Sequence, residues 1–574
     1  MRRHALALCL AVIVGSIAVA PSLLAPFFLG SAYQGMQYLP MDDEDFYRAR
    51  IHEILDGYPA VVSPFLYEYK QERLNIAPIG EWLYALPAFI FGLSFIFIVY
   101  KFLLPAILFF LVYLLVKKMI GGDDREALLT SLTAGLLVTL GIEFVDYGYM
   151  LSLFEGAPSR SLLWTRPVNP ITGGVLLFTF LLSVYSIMER RRYAYILAGI
   201  LLAATVGYYF AFGMATAVLG VLFLAYLVRR EYPVVRDFIA TGIVFLVVSA
   251  PYWYNVALSF GGETGRAAAM RAGMIFTHAP VFNKALFAAT IIVVLCFAYA
   301  LFKGYVRENE RAWIFIGALI AAGWIGFNEQ IITGRQIWYH HFVQYTVPFS
   351  YIAVLVASYL SIRRTLPRLW FLGVGTLAML SIVYGLYSTT HGFPSRMEDF
   401  ARLQAYGPVM DWLNDNALRD CVVAVVEEGE EAGRWIPAYT HCNSYISAFT
   451  YYAIPEDRVL HNYLLHLRLN GVEPENVANY LKDHESEMRG HMFTNWDHLF
   501  DPDQGEWVAE RISYLTSTYR EFATEDLNER MHQYRIDYLM TKGPMSPALE
   551  KQLPGLKEAA YLGTYHLYAL KAKS

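Results

Sequence analysis

Eleven apolar runs, at residues 5–29, 91–116, 127–144, 173–188, 193–209, 212–228, 238–258, 286–302, 312–332, 342–361 and 369–388, occupy most of the first two-thirds of the chain. Short polar joints separate them. A run of roughly 20 apolar residues crosses a bilayer as a helix, since a helix satisfies its own backbone N–H and C=O groups where no water can. The runs predict a mainly α, polytopic membrane protein of about eleven transmembrane helices. A hydrophobic share of 56% against 17% charged residues agrees with this, and a net charge of −5 gives nucleic acid no purchase.

The joints predict orientation. Lys and Arg collect in every second one: "MRRH" at the start, "VKK" at 116, "ERRR" at 189, "RREYPVVR" at 229, "KGYVRENER" at 303 and "RRTLPR" at 363. Basic joints stay on the cytoplasmic side. The N-terminus is therefore expected inside, and the acidic stretch after the first run outside, in a plasma or inner membrane. The first run has a basic start and "AVA" at 18–20, as a signal peptide does, but Pro21 follows and the apolar run continues to Leu29, so it reads as a span.

Residues 1–392 read as the transmembrane domain, with a first external loop at 30–90. From about 393 the apolar runs shorten and charges multiply. Strand-like runs at 421 ("CVVAVVEE"), 534 ("YRIDYLMTKG") and 564 ("TYHLYALKA") alternate with helical patterns such as "VANYLKDHESEM" at 477. Residues 393–574 are thus expected to form a soluble extracytoplasmic α/β domain. It has no glycine-rich phosphate loop and no nucleophile elbow, and "YISAFTYYAIPEDR" reads as packing on the membrane domain rather than as a glycan site. The four cysteines, Cys9, Cys296, Cys421 and Cys442, are too few for a disulfide framework and fit no zinc spacing. Outside the cytoplasm, Cys421 and Cys442 are free to join.

The first external loop carries "MDDEDFYRARIHEILDGYP" at 41–59, with Asp42, Asp43, Glu44 and Asp45 in succession. Phe46, Tyr47, Ile51, Ile54 and Leu55 recur at helical spacing, with Arg48, Arg50, His52 and Glu53 mostly opposite. An amphipathic helix along the membrane interface is expected, capped by Asp42 or Asp43 and ended by Gly57 and Pro59. Capping and the helix dipole use one or two acids. Four acids beside a membrane suit a general base or a metal ligand.

This arrangement resembles the GT-C superfamily of membrane glycosyltransferases, which use polyprenyl-phosphate-linked sugars. "DEDFYRARIHEIL" looks like the Asp-Glu-x-x-Tyr loop of the protein O-mannosyltransferase and lipid A aminoarabinose transferase branches. It is also similar to the Asp-x-Tyr-Tyr-x-x-Arg loop of oligosaccharyltransferases, but that alignment puts Glu44 where Asp is expected, so the first branch fits better. "NIAPIGEWLYALPAFIFG" resembles the Pro-rich re-entrant part of the same loop. The resemblance covers the layout of the spans and this loop. It implies transfer of a sugar from a lipid phosphate to an acceptor hydroxyl on a glycan, lipid or protein, with inversion at the anomeric carbon. It implies Asp43 as base with Glu44 supporting it, and Asp42 and Asp45 as replacements if the register slips by one.

Other loops supply candidates for the donor. The second external loop, 142–174, has Glu143 and Asp146 at its start and Arg160 and Arg166 later. Some members of the superfamily place a second acidic residue here to complete a metal site, which would admit Mg or Mn; the plainer role of the two acids is to solvate a helix end. Arg166 precedes Pro-Val-Asn-Pro, which stiffens its backbone, and suits phosphate or a lipid head group. The joint "NEQIITGRQIWYHH" at 328–341 places Asn328, Glu329 and Gln330 at membrane depth, where polar groups usually face a cavity. Arg335, His340 and His341 could hold a phosphate, and Trp338 and Tyr339 could face sugar or isoprenoid; an aromatic belt with an interfacial Arg explains the same residues. Residues 259–283 add Arg266, Arg271 and His278 without a pattern. Two other readings fit a polytopic chain. A transporter would show an internal repeat or paired broken spans, which this sequence lacks. A lipid-linked glycan ligase or polymerase would carry its key residues in a late loop.

Overall fold

The computed structural model describes residues 4–41, 43–72, 76–122, 124–259, 269, 271, 273–426, 431–447, 454–492 and 505–570. Its first part is a helical bundle: α1 (Ala5–Leu29), α2 (Glu44–Leu55), α3 (Ile79–Phe91), α4 (Leu93–Ile120), α5 (Arg125–Leu140), α6 (Tyr147–Phe154), α7 (Ile171–Met188), α8 (Ala194–Ala204), α9 (Tyr209–Val228), α10 (Tyr232–Ser259), α11 (Lys284–Phe302), α12 (Glu310–Asn328), α13 (Val343–Ser361) and α14 (Pro367–Gly392). Among the described residues nine helices are long and apolar enough to cross a membrane.

Two of the eleven expected spans are shorter than the apolar runs implied. Run 127–144 ends its α-helix at Leu140 and turns through a 3-10 segment at Ile142–Val145, leaving 16 residues. Run 193–209 forms an 11-residue helix, and its last turn tightens to 3-10 at Thr205–Gly207. The tightening coincides with a close approach: a Cβ on Gly207 would lie 2.4 Å from the Ala77 carbonyl oxygen. Small residues also let the long helices close on one another. A Cβ on Gly135 of α5 would stand 2.7 Å from the Phe109 ring of α4.

Five of the six basic segments, those at 116, 189, 229, 303 and 363, meet at one end of the bundle. Lys118 pairs with Glu189 at 3.1 Å, Asp124 with Arg363 at 2.7 Å and Glu308 with Arg364 at 2.6 Å, while Arg229 reaches Glu310. These four ion pairs link all five joints in series. The alternation read from Lys and Arg is therefore a real feature of the bundle. The residues of the acidic stretch, the 142–170 loop and the 329–342 segment gather at the other end.

The C-terminal region is built on a mixed five-stranded sheet. A small antiparallel pair precedes it, β1 (Met274–Ile275) with β2 (Gln336–Ile337). The sheet comprises β3 (Val422–Val426), β4 (Asn443–Ser444), β5 (Tyr538–Lys542), β6 (Lys557–Leu562) and β7 (Tyr565–Ala569), in the order β4-β3-β5-β7-β6. β3 runs parallel to both neighbours, with Val423 opposite Tyr538; β7 is antiparallel to β5 and β6. The three strand-like runs seen in the sequence become β3, β5 and β7. Successive side chains of a strand point to opposite faces. Val423 and Val425 accordingly join one core with Ala49, Phe65 and Leu66 of the first loop, while Val422 and Ala424 join another with Tyr463, Leu465 and Leu539. "VANYLKDHESEM" breaks into two short helices at His484. Cys421 and Cys442 form a disulfide.

α2 sits between the two parts, and here the structure corrects the sequence. Ile51 and Ile54 belong to the bundle core, and Ala49 to the core shared with the sheet. The face expected to be solvated is buried as well: Arg48, Arg50 and Glu53 are each below 5% exposed. Each finds a partner, as buried charges must. The Arg48 guanidinium donates to the Ala438 carbonyl at 2.9 Å and to Gln37 Oε1 at 2.6 Å, and lies 4.0 Å over the Tyr439 ring. Arg50 pairs with Glu81, and Glu53 with Lys70 at 2.8 Å. An amphipathic pattern signals that one face is polar, not that the polar face meets water.

Candidate functional site

Of the four acids in a row, Asp42 lies outside the described residues, and the other three have three different fates. Asp43 holds the N-cap position of α2 in the left-handed region, φ 68°, and makes no side-chain cap hydrogen bond. Of the two caps expected, the one from Asp43 is thus not made, because its carboxylate pairs with Arg166 instead. Its side chain stays 42% exposed. Glu44, wholly buried, meets Lys101 of α4 at 2.7 Å and accepts from the Met41 N–H at 3.1 Å. Asp45, 3% exposed, takes a two-pronged contact from Arg434 at 2.7 and 2.9 Å. Burial pushes the Glu44 and Asp45 carboxyls above the usual carboxylate range, against the opposing pull of Lys101 and Arg434. A helix turns successive side chains by about 100°, so consecutive acids reach three separate partners. Only Asp43 of the three faces open space.

Arg166 enters with an extended backbone, φ −71° and ψ 123°, as a residue before proline does. Its guanidinium also lies 5.5 Å over the Tyr47 ring. Beyond it stands the 338–341 segment. His341 stacks on Phe210 at 5.2 Å and faces His340 at 4.4 Å and Trp338 at 5.4 Å. Arg166 is close enough to His341 for their charges to interact. Tyr339 packs edge-on to His340, which is exposed. Arg335 is exposed, and among the described residues its side chain makes no ion pair. Its charge is felt at Tyr209, whose hydroxyl donates to Glu329. An ion pair, a charge interaction and ring contacts thus connect Asp43, Arg166, His341, His340, Trp338 and Tyr339, and Arg335 is tied to this region through Tyr209.

Asn328 and Gln330 do not open on a cavity as expected. Asn328 accepts from the Val281 N–H at 2.8 Å and donates to its carbonyl at 3.1 Å, and Gln330 donates to Ala279 at 2.9 Å. Both clamp the 279–281 strand of chain. Glu329 differs from both: it accepts from the Tyr209 hydroxyl of α9. In the 259–283 stretch, Arg271 donates to the Ile454 carbonyl of the C-terminal region and His278 lies 3.1 Å from the Ile331 carbonyl; Arg266 is outside the described residues.

Arg160 keeps company apart from Arg166. It pairs with Glu143 at 2.9 Å and Asp146 at 3.0 Å, and lies 4.1 Å over Tyr149. Asp146 also caps α6 by accepting from the Tyr149 N–H at 3.0 Å. The two loops thus do not pool their acids: Asp43 belongs to Arg166, and Glu143 and Asp146 to Arg160. Among the described residues no group of three or more His, Cys, Asp or Glu side chains gathers that could hold a metal ion. These carboxylates do not fit a preformed Mg or Mn site.

Lys101 was not singled out in the sequence, being one charge inside an apolar run. A lone Lys at that depth is itself a signal, since a charge within a span needs a partner. No protein-family model matches the chain, and no curated protein matches it.

Proposed function

We propose that the chain is an integral membrane glycosyltransferase that moves a sugar from a polyprenyl-phosphate donor to an acceptor hydroxyl, with inversion. The observation that carries this reading is the division of the acidic run: one carboxylate, Asp43, is half-open, and it is paired with Arg166, whose charge reaches the ring cluster at His341. Asp43 takes the acceptor hydroxyl proton. The oxygen then attacks the anomeric carbon, and the bond from sugar to lipid phosphate breaks on the opposite face. Arg166 fixes the carboxylate, a positioning role. Arg335, with His340, meets the charge that develops on the departing phosphate, where cationic donors count most. Trp338 and Tyr339 face sugar or isoprenoid.

In the same reading all eleven helices cross the membrane, including the shorter α5 and α8. The N-terminus and basic joints are cytoplasmic, in a plasma or inner membrane, and residues 393–574 form an extracytoplasmic domain. The disulfide between Cys421 and Cys442 supports that side, because cytoplasmic thiols are kept reduced. The test is turnover of a radiolabelled polyprenyl-phosphosugar by the purified chain and by Asp43→Asn. Release of lipid phosphate by the first and not the second is expected; no donor cleavage by the wild type defeats the reading.

A further inference from the structure

The ion pairs at the basic end of the bundle engage its carboxylates and leave cations over. Glu189 pairs with Lys118 and lies 3.7 Å from Arg191, Glu231 and Glu310 both meet Arg229, Asp237 meets Arg236, and Glu308 meets Arg364. Those five are all the acids of residues 189–193, 229–237 and 303–311. Arg190, Arg192, Arg230, Lys303, Arg307 and Arg311 belong to the same three joints, and all six are exposed. Among the described residues none of the six has a carboxylate at ion-pair distance. The whole chain carries −5, so the positive surplus is local to this end.

The three joints face one another. Arg229 of one reaches Glu310 of another. Arg311, at the start of α12, is close enough to Tyr185 of α7 and Tyr226 of α9 for its charge to act on both. α7 runs into the joint at 189 and α9 into the joint at 229. A basic notch therefore lies where α7 and α9 end and α12 begins. Water solvates exposed cations well, so the surplus alone names no partner. Position does. Val228 and Phe302, 82% and 83% exposed, immediately precede Arg229 and Lys303, and the exposed Tyr193 immediately follows Arg192. Apolar side chains bared toward a bilayer thus give way to cations within one residue, which sets those cations at head-group level. A free anion would meet the charge alone. A phospholipid meets it with the phosphate, which Arg holds through two parallel N–H donors, and lays its acyl chains on the adjoining apolar side chains.

We propose that this notch is a binding site for anionic phospholipid, whose head group takes the charge of Arg190, Arg230 and Arg311. The proposal is independent of the glycosyltransferase reading, since it concerns the bundle end opposite Asp43 and needs no turnover.

The test reconstitutes the full chain in bilayers of equal phosphatidylcholine and phosphatidylglycerol, extracts it into mild detergent, and counts the lipid retained per chain by mass spectrometry. Phosphatidylglycerol is expected in excess by about fivefold or more, the factor that one cation near an anionic surface supplies. The triple variant Arg190→Gln, Arg230→Gln, Arg311→Gln should bring the two lipids close to parity, and Arg311→Gln alone should move the ratio in the same direction. A control removes equal charge from exposed lysines of the C-terminal region, Lys482→Gln, Lys542→Gln and Lys551→Gln, and should keep the excess. Sodium phosphate and sodium chloride at equal ionic strength should release the lipid alike. Each of four results overturns the proposal. No excess in the wild type leaves nothing to explain. An excess kept by both notch variants puts the lipid elsewhere. An equal loss in the control makes net charge the cause. Selective release by phosphate makes the notch a site for the free anion.

Discussion

Asp43 and Arg166 form an ion pair across 123 residues of sequence, joining the segment between α1 and α2 to the segment between α6 and α7. The pair has one half-open partner, Asp43, and one largely buried partner, Arg166, whose side chain is 12% exposed. That asymmetry separates the roles of the two. Asp43→Asn keeps shape and hydrogen-bonding capacity but removes the base, and is expected to lower turnover by about 10²-fold or more with donor binding retained. Arg166→Lys keeps a charge but loses the planar fork. It should lower turnover less and alter how rate depends on pH, which a purely structural role would not do. Steady-state kinetics on both purified variants, with donor affinity measured separately, checks this.

Arg335 is expected to matter more in the transition state than in binding. Arg335→Ala should lower turnover more than donor affinity, because the lipid tail still partitions into the membrane. Arg335→Lys should restore part of the loss, as a point charge replaces a bidentate donor. If Arg335 only anchors the protein at the interface, the alanine variant will show poorer expression or lower Tm and unchanged turnover per folded molecule. Both quantities are to be read on one preparation.

The Asp45–Arg434 contact predicts unequal costs for its two halves. Arg434→Ala leaves a buried carboxylate without its cation. The loss should be roughly 2 kcal/mol, below the 3–5 of a fully buried pair because the Arg434 side chain is 38% exposed. Asp45→Asn should cost less, since Arg434 can turn to water. Tm values for the two variants decide it; a larger loss in Asp45→Asn would contradict the assignment of burial.

Glu53 gives a pH signature. Burial lifts its carboxyl from the ordinary 4.5 to about 7, with Lys70 at 2.8 Å opposing the rise. The folded chain therefore holds this proton more tightly than the unfolded chain does. The linked stability is fully present below pH 4.5 and declines as pH rises toward 7. Glu53→Gln should flatten that decline. Comparing the Tm difference between pH 5 and pH 7.5 in wild type and variant measures it, and identical differences would refute it.

The two ends of the bundle make a prediction about sidedness. Ala60, in the first loop, and Glu473, in the C-terminal region, are exposed. Cysteines at these two positions should react with an impermeant maleimide from the same, extracytoplasmic side. Labelling from opposite sides would refute the proposed topology.

What the chain's own letters determine is what depends on neighbours along the chain. Long apolar runs become helices because a bilayer, or a bundle, leaves no other way to satisfy the backbone, and nine of the eleven runs reach spanning length. Alternating basic joints meet at one end because each run reverses direction. β3, β5 and β7 are legible from β-branched and aromatic residues, while the two-residue β4 and the exposed edge strand β6 carry no such pattern. The helix at 44–55 is legible from its spacing, but the fate of its charges is not. Asp43, Glu44 and Asp45 look interchangeable in sequence, and they differ only because Arg166, Lys101 and Arg434, from three distant segments, arrive on different sides of one helical turn. Local propensity sets which elements form. The choice of partner for each charge is made when those elements pack, because a buried ion requires whichever opposite charge the packing brings within about 3 Å, however far away it lies in the chain.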